Sequence, residues 1–204
     1  MIYEGNLSNG TLNVAAGADA TLNGDGDSVN VTGAATFAAV GDDNTVVAQA
    51  GGSVLSATGD GNVLQDGVGN DTLSATGSNN TFAIASGAGP DVVHASSSDD
   101  SDTIALGGGI DYDQLWFAQS SNDLVVSVIG KSQSVTVADW YAATDNHVGT
   151  LTTNDGHEIS DAGVQQMVEA MAGYEKPASG QTSLPPGLAT ALAPALAANW
   201  HQTG

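Results

Sequence analysis

The sequence predicts an all-β fold: a parallel β-roll or β-helix of coils about 18 residues long, with a C-terminal β-sheet and helix as its cap. Three observations carry this. The segments "GDDNTVVAQAGGSVLSAT" (41–58), "GDGNVLQDGVGNDTLSAT" (59–76) and "GSNNTFAIASGAGPDVVH" (77–94) each open on Gly, with Asn fourth and an apolar residue sixth. The large apolar residues Phe37, Val46, Leu55, Leu64, Leu73 and Phe82 recur every nine residues. A second, smaller apolar residue usually follows two positions later, as at Ala39, Ala48, Ala57, Ala75 and Ile84. That alternation is the mark of a strand with one buried face.

Each nine-residue unit is therefore a short strand plus a tight turn, and two units make one coil. Stacked coils lie about 4.8 Å apart, so about five of them make a rod roughly 25 Å long. Gly41, Gly59 and Gly77 fall on one edge, where a positive φ is expected. Asn44, Asn62 and Asn80 fall above one another and are expected to form an amide ladder between coils.

Charge narrows the function. The 204 residues carry a formal net charge of −21, with two lysines and no arginine. Lys131 is the first basic residue, so the acids before it have no side-chain partner of opposite sign. This argues against nucleic acid and anionic membrane surfaces as partners and for a cation from solution. The absence of cysteine excludes disulfides and thiolate zinc sites. "MIYEGNLSNG" shows no secretory leader, and no apolar run is long enough for a transmembrane span.

Asp71, Asp91 and Asp111 are spaced twenty apart and are expected on one edge of the roll. Asp66 is charged where the alternation calls for an apolar residue, so it is either a turn residue facing water or a ligand. "DGVGNDTLS" (66–74) and "SGAGPDVVH" (86–94) resemble the G-G-x-G-x-D-x-U-x nonapeptide of RTX (repeats-in-toxin, haemolysin-type calcium-binding) proteins, each lacking only the first Gly. "GGGIDYDQL" (107–115) carries a related G-x-G-x-D, and "SSDDSDTIA" (97–105) keeps the acidic and apolar positions.

The resemblance implies Ca²⁺ held between neighbouring turns by Asp carboxylates and Gly carbonyls. Here these are Asp66, Gly67, Gly69, Asp71, Gly87, Gly89, Asp91, Asp102, Asp111 and Asp113. Calcium takes six to eight hard oxygens in flexible geometry, which two stacked turns can supply. At the Asp position the other coils show Ala20, Ala35, Asn44, Ser53, Asn62 and Asn80, so they are expected to stack without metal.

Residues 1–106 thus read as a degenerate RTX-like roll and 107–174 as a capping segment. "DQLWFAQSSNDLVVSVIGKSQSVTVADWY" predicts three strands, "GTLTTNDGHEIS" a hairpin with an Asp-Gly turn, and 161–172 a helix with Ser160 as N-cap. Its stripe of Val164, Met167, Val168 and Met171 is core. The same stretch resembles the segment that follows the repeats in many RTX proteins. Residues 175–204 form a Pro/Ala-rich tail with a short helix over 187–200, interrupted at Pro194. The resemblance makes that tail a candidate signal for a type I secretion apparatus.

No catalytic constellation is expected: there is no H-E-x-x-H, no G-x-S-x-G and no Cys–His pair. The function the resemblance implies is a non-enzymatic, secreted or cell-surface bacterial module that folds on meeting extracellular calcium. The rival is a calcium-independent β-helix acting as an adhesive or self-assembling surface, with self-association open at the uncapped N-terminal coil.

Overall fold

The computed structural model describes residues 2–85, 87, 89–99 and 101–203. The chain runs back and forth between two facing sheets. Strands β1 (Ile2–Asn6), β2 (Thr11–Val14), β3 (Asp19–Asn23), β4 (Ser28–Val31), β5 (Thr36–Val40) and β6 (Thr45–Ala48) come first. They are followed by β7 (Val54–Thr58), β8 (Val63–Gln65), β9 (Thr72–Thr76), β10 (Thr81–Ile84), β11 (Pro90–Ser96) and β12 (Thr103–Leu106). Odd strands build the first sheet and even strands the second, all in parallel. This is the predicted parallel solenoid, with six coils rather than five, because β1 already pairs with β3.

Register confirms the repeat and corrects its phase. Thr36 lies beside Val54 and Val54 beside Thr72, eighteen residues on, but Asp19 lies beside Thr36, seventeen on. Ala20 therefore stacks on Phe37 inside the core, and Leu22 on Ala39. Ala20 is not at the Asp position as expected; Ala18 is, one residue before that pairing. The slip of two costs nothing in facing, because a strand returns to the same side every second residue. Leu22, Val29, Phe37, Val46, Leu55, Leu64, Leu73, Phe82, Val93 and Ile104 fill the interior, with alanines beside them keeping it narrow.

Two edges connect the sheets. At edge I, where the chain passes from the first sheet to the second, Gly41, Gly59 and Gly77 have φ of 137°, 129° and 122°. A Cβ on Gly59 would meet the Gly41 carbonyl oxygen at 2.2 Å, so close approach adds to the conformational reason for glycine.

Beside these glycines runs the asparagine ladder, in a different form from the one expected. Each backbone N–H donates to the side-chain oxygen of the next coil, rather than amide to amide. Gly10 N donates to Asp27 Oδ1 (2.7 Å), Asp27 N to Asn44 (2.9 Å) and Asn44 N to Asn62 (2.9 Å). Asn62 N then donates to Asn80 (2.9 Å) and Asn80 N to Asp102 (2.7 Å). The ladder joins every coil and is buried from Asp27 onward.

The C-terminal strands are β13 (Leu115–Ser120), β14 (Asp123–Val128), β15 (Ser134–Val137), β16 (Thr150–Thr153) and β17 (His157–Ser160), then α1 (Asp161–Met171), α2 (Pro186–Asn199) and β18 (His201–Gln202). β15 and β16 continue the two parallel stacks. β14 and β13 extend the first sheet antiparallel, and β17 and β18 the second. Ser160 Oγ accepts from Gly163 N at 3.2 Å, and Val164, Met167, Val168 and Met171 are buried, as predicted. The expected break at Pro194 is absent: α2 runs through it. Leu192 is buried there, and Leu188 and Leu196 pack on the core, so tertiary contact outweighs the lost backbone bond. The tail lies against the cap, with Leu184 and Trp200 also buried.

Asn62→Ala leaves the buried Asn44 N–H without an acceptor, at a cost of about 1–3 kcal/mol. We expect a thermal midpoint lower by roughly 5 °C. Asn30→Ala, on the outer face of β4, should stay within about 0.5 kcal/mol in the same urea and thermal melts.

Candidate metal centre

Edge II, where the chain returns from the second sheet to the first, begins in the early coils with small neutral turns such as "AAGA" (15–18) and "GAA" (33–35). From residue 66 onward it becomes acidic. Gly67 lies against the turn beneath it: a Cβ there would meet Ala50 backbone atoms at 2.7–2.9 Å. Gly89 is packed as tightly, its missing Cβ 2.2 Å from Asn70 Oδ1. Gly52 N donates to Asn70 O (2.8 Å) and Gly89 N to Gly69 O (2.7 Å), so the turns are tied backbone to backbone.

Three acids are set into this stack, all buried. Asp71 sits just before β9; its Oδ1 accepts from Ser53 N (2.7 Å) and its Oδ2 from Gly67 N (3.0 Å). Asp91, in β11, accepts from Asp71 N through Oδ1 at 2.8 Å. Asp66 follows β8 on the core side of the strand and accepts from Ala85 N at 2.6 Å. Of its two expected alternatives, the turn residue facing water is excluded by burial at 1% exposure.

Asp71 is thus fully satisfied, whereas Asp66 Oδ2 and Asp91 Oδ2 are buried without any donor. Burial pushes the Asp66 carboxyl up to about 8 against the pull of the Ala85 N–H, with the charges of Asp91 and Asp71 adding to the rise. Burial likewise raises Asp91 to about 6, offset by the Asp71 N–H, with the Asp71 charge adding to the rise; a proton on Asp66 would bridge the two carboxyls, which raises Asp66 and lowers Asp91. Two undonated carboxyl oxygens in an enclosed turn call for a proton or a cation.

The other expected ligands lie apart. Asp102 is at the opposite edge, at the end of the asparagine ladder. Its Oδ2 has no donor, and burial raises it to about 6, with Asp99 and Asp60 contributing. Asp111 follows β12 at the same edge but does not stack on Asp91. The rung beside Asp91 is Val135, because the chain leaves the solenoid after β12 and returns through β15. Asp111 instead caps a 3-10 turn (Tyr112–Gln114), and Asp113 is exposed in it. Among the described residues, no three His, Asp or Glu side chains gather around one point as metal ligands. Edge II therefore offers no side-chain cage for a cation among the described residues.

Two features were not singled out from sequence. Asp27 is a ladder residue, legible from "GDGDSV" (24–29) aligned on "GDDNTV" (41–46), and its buried Oδ2 also lacks a donor. Asp99 is exposed and accepts from the hydroxyls of Ser97, Ser101 and Ser78, which lower it to about 2.

Residues 123–162, about a fifth of the chain, match the haemolysin-type calcium binding protein related domain. The matched stretch is β14 to the start of α1, part of the cap rather than the coils. That match and the β-solenoid together fit an RTX-type protein.

The raised carboxyls fix a pH dependence. Between pH 4 and 8 the folded protein holds protons on Asp66, Asp91 and Asp102 that the unfolded chain has released, so metal-free stability falls as pH rises through this window. The metal-free thermal midpoint should be about 5–10 °C higher at pH 5 than at pH 8. Asp66→Asn should flatten the part of the profile between pH 6 and 8.

Proposed function

We propose that this chain is a non-enzymatic calcium-binding module of RTX type, exported through its C-terminal tail and completed by calcium outside the cell. The observation that carries this reading is the pair of buried, undonated oxygens of Asp66 and Asp91 within glycine-rich turns. They sit in a chain whose first 130 residues contain neither lysine nor arginine. Asp66 and Asp91 would hold the ion, together with carbonyls of the turns containing Gly67, Gly69, Gly87 and Gly89. Bound calcium supplies a counter-charge that removes the repulsion between the two carboxylates.

Asp71 braces the turn through its two N–H acceptances. Asp102 is a second candidate at edge I. Asp111 and Asp113 are ligands only for an ion at the cap, away from the stacked turns. Extracellular calcium modules bind at about 10⁻⁴–10⁻³ M, so the same turns would be metal-free inside a cell and loaded outside. Binding to the folded state alone stabilises it by mass action.

The first coils favour a second reading for part of the molecule. Asn44, Asn62 and Asn80 need no metal, and β1 and β2 end the two sheets with unpaired edges. A calcium-independent β-helix that self-associates through this end is the alternative.

Far-UV circular dichroism and thermal melts in excess EGTA, then with calcium up to about 10 mM, separate the two. The proposal expects a large gain of β signal and of midpoint near millimolar calcium, lost or shifted at least tenfold in Asp66→Asn/Asp91→Asn. A β-rich spectrum with the same midpoint in EGTA and calcium supports the alternative.

A further inference from the structure

The turn that holds Ala85, Gly87 and Gly89 is the last at edge II to join two strands of the parallel stacks. Earlier turns are closed by the backbone of the coil above, as when Gly52 donates to Asn70 O and Gly89 to Gly69 O. The next connection starts above this last turn, with Gly107 N donating to Ile84 O at 2.9 Å, but leads away to β13, and the strand that pairs with β11 is β15, which arrives from the antiparallel hairpin with β14. The turn of that hairpin places Gln133 over the open groups.

Gln133 is 2% exposed. Its Nε2 donates to Ala85 O at 2.7 Å, and its Oε1 accepts from Gly87 N at 3.3 Å. Its own backbone is fixed: Val128 N donates to Gln133 O at 3.0 Å, and the adjacent Ser134 N donates to Gly89 O at 3.4 Å. A carboxamide carries one donor side and one acceptor side, as a peptide group does. Gln133 thus supplies from a side chain what the missing coil would supply from its backbone. The consequence reaches the acids, because Ala85, gripped through its carbonyl, gives its N–H to Asp66 Oδ1 at 2.6 Å.

We propose that Gln133 is a positioning residue of the cation site: it stands in for the edge II turn that a seventh coil would have supplied and, through Ala85, aims Asp66 at the undonated oxygen of Asp91. This rests on the calcium reading above and adds to it a reason why the cap and the coils act together. Gln133 lies within the cap segment matched to the calcium-binding related domain, although it has no oxygen in the site itself.

The test is calorimetric calcium titration of the full chain, wild type against Gln133→Met and Gln133→Ala. Methionine keeps the length and bulk and removes both hydrogen bonds. Residues that orient a ligand from behind are worth about 10–100-fold in metal affinity. Gln133→Met is expected to weaken calcium at least tenfold, with tryptophan fluorescence showing the cap intact. A filler of space would behave differently: Gln133→Met would bind calcium as wild type does while Gln133→Ala lost stability equally with and without the ion, and that overturns the proposal. A wild-type chain that binds no calcium would remove the reading on which the proposal stands.

Discussion

Stacking at about 4.8 Å sets each turn residue against its own counterpart in the coils above and below, and the rest of the structure answers to that constraint. Turn N–H groups point along the stack and need acceptors that the strands do not provide. At edge I side-chain oxygens one coil along meet the need, from Gly10 through to Asp102. An exposed row runs the opposite way, with Asp42 N donating to Asp25, Asp60 N to Asp42 and Ser78 N to Asp60.

The same geometry penalises charge. Two carboxylates on neighbouring rungs repel by about 1 kcal/mol in water and by several times that where water is excluded. The chain respects this where it can. Asn44, Asn62 and Asn80 hold the buried middle of the edge I ladder, with acids only at its ends, Asp27 and Asp102. Adjacent acids Asp25, Asp42 and Asp60 are kept in the exposed row. Edge II breaks the rule: Asp71 and Asp91 are neighbours, both buried, with Asp66 against them. A break confined to the glycine-rich turns, in a fold that elsewhere puts asparagine in that situation, points to a ligand rather than to packing.

Much of this was legible in the sequence because a stacked coil converts spacing directly into contact. Nine-residue spacing gave the strands, eighteen-residue identity gave the ladder, and Ser160, the Asp-Gly turn and the stripe from Val164 to Met171 gave the cap elements. Failures came where spacing stops meaning stacking. Ala20 was misplaced because the first coils are seventeen residues long. Asp111 keeps the twenty-residue step from Asp91, yet the chain has by then left the coil, and Val135 takes the rung forty-four residues on from Asp91. Gln133 carries no periodic signal at all, since a hairpin turn delivers it. Pro194 shows the reverse error, a strong local breaker overruled by the packing of Leu188, Leu192 and Leu196.

Protons and calcium are two answers to one electrostatic problem at Asp66 and Asp91. With a proton, one carboxyl becomes a donor and the pair loses a charge. With calcium bound as proposed, both would remain carboxylates and the ion would take the oxygens that no N–H reaches. The two states exclude each other at the same atoms, so each proton displaced must be offset by metal binding, and calcium acts most strongly where the acids are ionised but unpaired. Neutral or slightly alkaline surroundings rich in calcium meet that condition. The coils below, laddered by asparagine at edge I and neutral in their edge II turns, hold no such pair of acids.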